Sequence, residues 1–533
     1  VADLFDQSRD AWKPFCEHSF LYSGLPERIG VYDTTLRDGN QTPGVSFTLE
    51  EKLSLVERLD EFGVHMIEAG WPYSNPRDEA LFEELKGLSH KAKIVAFGST
   101  RRVGIPAAED PNLNSLLKTE ADAITIFGKS SATQAQEVLR ASPEENLVLI
   151  GESLDYLKDH GYYVIYDAEH FYDGFRENAE YAIRTLDVAK GADEFCLCDT
   201  NGGNATPLIH FATRKVAEAF RKPVGIHCHD DAGLAVANTI AALCAGATCV
   251  QGTFNGLGER CGNVDFCELL PTLEFKYGVV TVGAERLSKL KKLSEYVERI
   301  SGFKIPPNKP YVGPNAFIHT GGIHADAVTK FTAAYEHIRP DLVGNKRGFT
   351  LSEQAGRASI VAEASKFGYD LRKNDPIVTE ILNEVKKKLN FTDAELYIML
   401  CERLDQRMDP FQFLGYEIGL VEDVAPRATV RVKVGNEEYC ESSIGVGPVN
   451  ALDLALRKVL CKYYPHVQRV RLTSYRVGIF NEEKATAATT EVYIEFTNGY
   501  EKWSTIGESD DIVKASKEAL VNGYKYYLLR SSD

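Results

Sequence analysis

The chain has 533 residues, 44% hydrophobic and 26% charged, the ordinary composition of a packed protein, so wholesale disorder is excluded. Sixty basic residues against 77 acidic ones give a net charge of −17. That balance argues against nucleic acid and anionic membrane as main partners, since both need a cationic face.

The opening residues, Val1-Ala-Asp-Leu-Phe-Asp6, hold neither a basic nor an apolar segment. No secretory signal is expected there, and residues 1–25 read as an N-terminal extension. From 26 to 285, short β-rich runs alternate with amphipathic stretches. The runs are 29–33, 64–68, 93–97, 123–127, 162–166, 194–198, 224–227 and 249–253. Eight βα units in about 250 residues is the arithmetic of a (β/α)8 TIM barrel, the α/β fold expected here. A doubly wound open sheet is the rival, but no G-x-G-x-x-G follows the first run. The clearest helix lies at 49–62. Thr48 and Glu51 form a capping box, Leu55, Leu59 and Phe62 share a face, and Gly63 supplies the stop. The longest uncharged stretch, 232–258, contains Asn238, Thr239, Thr248 and Gln251 and is too polar for a spanning helix. Eleven cysteines are scattered without a CxxC pair, and Cys196 and Cys198 sit in an apolar run. Free thiols in a reducing cytoplasm are expected.

After about residue 285 the alternation stops. Residues 286–405 read as helical linker subdomains, with a basic amphipathic start at 287–293, a break at Pro306-Pro307 and a turn at Gly321-Gly322. Residues 406–533 carry a weak duplication. Strands around 428–434 lead to a helix at 448–460; strands at 492–496 and 503–506 lead to a helix at 510–520. Two strand-strand-helix halves predict a pseudo-symmetric α+β domain with a ligand or dimer interface between them.

In a barrel the reacting groups lie just after the strands, at the C-terminal face. Those positions hold Arg37 and Asp38, Glu68, Arg101, Lys129, Glu169, Asp199 and Thr200, His227 and His229, then Glu259, Arg260 and Asn263. Polar groups converge on one mouth while the strand bodies stay apolar. The sharpest local signal is His227-Cys-His229: residues i and i+2 of a strand share a face, so two imidazoles can reach one divalent ion. Read alone, such a pair is more often a set of surface or hydrogen-bonded histidines than a metal site. Asp38, with Asn263 or water, would complete a site with exchangeable positions, which suits catalysis. Arg37 is placed to stabilise an enolate-like charge or to pair with the carboxylate next door. Glu169 and Thr200 could hold a substrate carboxylate or cap helices.

Asp33-Thr-Thr-Leu-Arg-Asp-Gly39, His227-Cys-His-Asp-Asp-Ala-Gly233 and Gly256-Leu-Gly-Glu-Arg-Cys-Gly-Asn263 together resemble the 2-isopropylmalate, homocitrate and citramalate synthase family. The likeness covers nearly the whole chain beyond residue 25. Gly70-Trp-Pro-Tyr-Ser-Asn-Pro-Arg-Asp78, Phe97-Gly-Ser-Thr-Arg101 and Tyr166-Asp-Ala-Glu-His-Phe171 are most similar to its long, citramalate-synthase-type branch. The resemblance implies a Claisen condensation of acetyl-CoA with a 2-oxo acid, pyruvate first among them. It implies a divalent metal (Zn²⁺, Mn²⁺ or Mg²⁺) on Asp38, His227 and His229, with Asn263 beside them. Arg37 would stabilise charge, Thr200 and Arg101 would bind substrate, and Glu169 would lie near substrate and metal water. His324 and Tyr335, eleven positions apart, match a family pair that serves the proton chemistry and reaches the neighbouring subunit's site. A homodimer is therefore implied. The duplicated region resembles the family's allosteric domain, which binds a branched-chain amino acid. Gln134 stands where many members carry a histidine near the substrate, and Asn40 and Ala325 are less usual choices beside family motifs. Gln cannot exchange a proton, so that role is dispensable or the accepted 2-oxo acid differs. Isopropylmalate synthesis, a metal-dependent carbon–carbon lyase and a non-catalytic amino-acid sensor are the alternatives.

Overall fold

The structure, a computed structural model, describes residues 24–388, 390–405, 407, 409–480 and 488–531. Most of the expected extension, residues 1–23, lies outside them. Eight parallel strands pair in chain order: β1 (Gly30–Asp33), β2 (Met66–Gly70), β3 (Lys93–Ser99), β4 (Ala123–Lys129), β5 (Tyr163–Glu169), β6 (Glu194–Asp199), β7 (Val224–Cys228) and β8 (Cys249–Gly252). β8 returns to β1, with Asp33 opposite Gly252, and the barrel closes. All eight predicted runs fall on these strands. β4, β5 and β6 run further toward their C-terminal ends than the apolar pattern does, because polar ends still pair: Lys129 lies opposite Glu169.

Both faces of the sheet are covered, as an all-parallel sheet requires. Inside the barrel, Tyr32, Val95, Ala123, Ile165, Cys196, Cys198 and Cys249 form one cluster, so the two neighbouring cysteines are core as expected. Outside it, a larger cluster joins strand and helix side chains. The helix Leu49–Phe62 shows the capping box, and Gly63 ends it with a φ of 90°. Its Lys52 is fully buried, 2.5 Å from Asp78 of the next helix, and also donates to the Leu36 carbonyl. Asp78 in turn accepts from the Trp71 backbone N–H at 2.9 Å, which fixes the turn after β2.

The chain divides into two compact units. One reaches Phe317 and takes in His337–Lys346; the other comprises Ile318–Glu336 and the chain from Arg347 onward. The boundary expected at 285 therefore falls inside the first unit. The reason is the helix Leu290–Ser301, whose Leu290, Leu293, Tyr296 and Val297 join the barrel's outer core.

In the second unit, the helices Arg357–Lys366, Pro376–Val385 and Asp393–Arg403 precede two three-stranded antiparallel sheets. The first sheet, Gln412–Val421, Val424–Val434 and Glu437–Ile444, leads to the helix Pro448–Tyr463. The second, Arg471–Phe480, Thr489–Thr497 and Lys502–Ser509, leads to the helix Ile512–Arg530. The duplication is thus present, but each half has three strands where the sequence predicts two. Glycines in Gln412–Val421, the polar, largely exposed run Glu437–Ile444 and the largely exposed run Arg471–Phe480 hide the extra strands from an apolar pattern. Among the described residues no helix is long and apolar enough to cross a membrane.

Candidate active site

The ends of the eight strands and the loops after them build the mouth of the barrel. Asp38 follows β1, His227 belongs to β7 and His229 lies just beyond it; each is less than 7% exposed. The two imidazole Nε2 atoms are 3.3 Å apart, and Asp38 Oδ2 lies 3.4 Å from His227 Nε2 and 3.8 Å from His229 Nε2. Arg37 stands over this triangle. Its guanidinium is 3.3 Å from Asp38 and 2.5 Å from Glu68 of β2, and packs 3.8 Å above the centre of the Phe97 ring. The cavity holds about 180 Å³. Its apolar wall is a trio: Trp71 meets Phe97 and Phe127 edge-on, and those two rings stack 5.4 Å apart. Asp167, Glu169, Thr200, Glu259 and Arg260 line the remainder.

Burial and charge set the protonation of these groups. Burial opposes the Asp38 charge, but Arg37 and a hydrogen bond from His227 overcome it and hold Asp38 well below the usual carboxylate range. Burial and the neighbouring His227 push His229 down to about 4, so its ring is neutral at ordinary pH. Asp167 is pushed up to about 7 by burial and by the Glu68 charge.

The Asp38, His227 and His229 ligand atoms suit a divalent cation. Two nitrogens and a carboxylate oxygen converge without intervening donors, all within 4.8 Å. Two buried polar atoms nearby have no hydrogen-bond partner, His229 Nδ1 and Asn263 Oδ1. Such a borderline N,O donor set accepts Zn²⁺, Mn²⁺ or Mg²⁺.

The other predicted residues separate. Glu169 is at the mouth, 2.5 Å from Lys129. Thr200 Oγ1 accepts from the His170 backbone N–H at 2.8 Å, which leaves its own hydrogen free to donate. Asn263 is buried beside His229 in an isolated bridge, and its amide donates to the Leu257 carbonyl. The loop bearing Asn263 needs Gly262: its φ is 88°, and any Cβ there would overlap the Gly256 carbonyl. Arg101 does not line the cavity. It binds Glu152 at 2.7 Å and the Ile105 carbonyl at 3.1 Å, and so ties down the loop after β3. Gln134 also lies off the cavity lining, on the short helix Ala132–Glu137. His324 and Tyr335 belong to the second unit, where their rings stack with centroids 4.1 Å apart. The sequence pattern does not single out Trp71, Phe97, Phe127, Asp167 or Gln251. Phe97, Phe127 and Gln251 fall within β-rich runs and read as core, and Trp71 and Asp167 just follow such runs, so only their place at the barrel mouth marks them.

A closed parallel barrel with a two-histidine, one-carboxylate mouth defines a class, and comparison identifies it. The HMGL-like family profile matches residues 28–297, a homocitrate synthase post-HMGL domain matches 311–392, and the LeuA allosteric (dimerisation) domain matches 390–528. The chain belongs to the HMGL-like family, and within it to the citramalate and isopropylmalate synthases. It is 43% identical to the (R)-citramalate synthase of Aquifex aeolicus over 96% of this chain and 99% of that one. The (R)-citramalate synthase of Sulfolobus acidocaldarius is 44% identical, over 94% and 97% respectively. The 2-isopropylmalate synthase of Methanocaldococcus jannaschii is more distant, at 32% over 95% and 96%.

Proposed function

We propose that the chain is an (R)-citramalate synthase, an acyltransferase that condenses acetyl-CoA with pyruvate. The observation that carries the reading is the buried Asp38–His227–His229 triangle beneath Arg37, in a cavity of about 180 Å³ with an aromatic wall. Those three residues would hold a divalent metal, which would supply Lewis-acid polarisation of the 2-oxo acid's carbonyl. The Trp71, Phe97 and Phe127 wall suits an apolar substituent such as a methyl group.

The chain's own residues do the rest. The Thr200 hydroxyl donates to the substrate carboxylate, because its oxygen is already oriented by the His170 N–H. Arg37, fixed by Glu68 and Phe97, presents a permanent positive charge to the oxygen on which negative charge develops. The acetyl methyl must lose a proton to a positioned base, since water at neutral pH is too weak to take it. His324, stacked on Tyr335, takes that proton from a neighbouring subunit of a dimer. The resulting carbon attacks C2 of pyruvate, and water then cleaves the thioester and releases the CoA thiol. Glu169, held by Lys129, orients that water.

The test is CoA-thiol release from acetyl-CoA with pyruvate, 2-oxoisovalerate, 2-oxoglutarate, phenylpyruvate and phosphonopyruvate, with and without chelator. Chelator-sensitive release with pyruvate as best substrate is the expected result. A preference for 2-oxoisovalerate would make the chain an isopropylmalate synthase, and silence across a metal-replete panel would remove the condensation reading.

A further inference from the structure

A metal-binding imidazole has two nitrogens, and the partner of the second decides which carries the proton. His229 Nδ1 has no hydrogen-bond partner. His227 differs: its Nδ1 lies 3.1 Å from Gln251 Oε1, and the Gln251 amide nitrogen lies 2.9 Å from Asp167 Oδ1. The three side chains sit on β7, β8 and β5, so the chain of contacts crosses the barrel interior. All are at most 5% exposed, and Asp167 and His227 also line the cavity.

The chemistry of the three groups gives this relay a direction. Asp167 Oδ1 accepts, so Gln251 must turn its NH₂ toward Asp167. Its carbonyl oxygen then faces His227 and can only accept, so the His227 proton resides on Nδ1. The Nε2 lone pair is thereby left pointing at Asp38 and His229. Were the amide reversed, its NH₂ would face Nδ1, the proton would move to Nε2, and His227 would have no lone pair for a cation.

We propose that Gln251 and Asp167 are positioning residues of the metal centre: Asp167 orients the Gln251 amide, and Gln251 fixes the His227 tautomer that can bind a metal. This rests on the metal-centre reading above. A catalytic role is not implied, since the Gln251 amide has no acidic proton to pass on.

The relay is tested by Zn²⁺ binding rather than turnover. Dissociation constants from competition with a chromogenic chelator are compared for the wild-type chain, Gln251→Leu, Gln251→Glu and His229→Ala. Gln251→Leu is expected to weaken Zn²⁺ at least about tenfold. Gln251→Glu is expected to restore most of the loss, because a carboxylate that shares a proton with Asp167 still accepts from Nδ1. Equal affinity in wild type and Gln251→Leu, or no recovery with Gln251→Glu, would overturn the proposal. Should Gln251→Leu fail to fold, Asp167→Asn decides: its amide lets Gln251 turn over, so weakened Zn²⁺ supports the relay and unchanged Zn²⁺ sinks it. A wild-type chain that binds no Zn²⁺, or binds it equally after His229→Ala, would remove the metal centre itself and this inference with it.

Discussion

Arg37 holds two carboxylates and an aromatic face at once, and only a planar guanidinium can do all three. Burial opposes its charge, but Glu68 and Asp38 raise its pKa further above an already high value, so it stays cationic at every accessible pH. A lysine would keep the charge and lose the fork and the stacking on Phe97. Arg37→Lys should therefore lower kcat for CoA-thiol release about a hundredfold, the cost of one misplaced electrostatic donor. A smaller effect confined to KM would show that Arg37 binds substrate without stabilising the developing charge. The clustering of His227 with His229 is legible at this scale because residues i and i+2 of an extended run share a face. Arg101 is not: it follows β3 as Arg37 follows β1, but Glu152 lies within reach and captures it. The aromatic wall is hidden because nothing in a sequence distinguishes a core phenylalanine from one at a mouth.

At the scale of elements, the barrel is readable because its period is enforced twice, by apolar strand bodies and by capped amphipathic helices. What the pattern does not show is how the turns that aim the site are held. Lys52 lies by spacing on the same face as Leu55, Leu59 and Phe62, a lysine on an apolar stripe, and it is fully buried against Asp78, which also fixes the Trp71 backbone. Burial works against the Asp78 charge, and Lys52 is its main counterweight. Lys52→Ala leaves that carboxylate buried without its cation, a loss of about 3–5 kcal/mol. The expected outcome is a lowered urea midpoint together with a raised KM for pyruvate, since the Trp71 wall loses its anchor. A stability loss with an unchanged KM would show that the wall is held by its ring contacts with Phe97 and Phe127 instead.

The whole molecule poses a question that neither single residues nor single elements answer: which subunit supplies which group. The duplicated half-domains are legible because both end in a long amphipathic helix after a glycine, Gly447 before Pro448–Tyr463 and Gly507 before Ile512–Arg530. Their third strands are not, since a strand with one solvated face and scattered glycines carries little apolar signal. The proposed exchange of function between subunits rests on family motifs, for the His324–Tyr335 pair and the barrel mouth lie in different units of one chain. The trans arrangement proposed above makes a quantitative prediction. Asp38→Ala inactivates the barrel and Tyr335→Phe the proton-transfer pair, so each homodimer should be nearly inert. Co-expressed in equal amounts, half the dimers are mixed, and one of the two sites in each mixed dimer has both halves intact. Activity should return to about a quarter of wild type, as the symmetry of a two-fold dimer dictates. If each site drew both halves from its own chain, every site in the mixture would carry one defect, and co-expression would restore nothing.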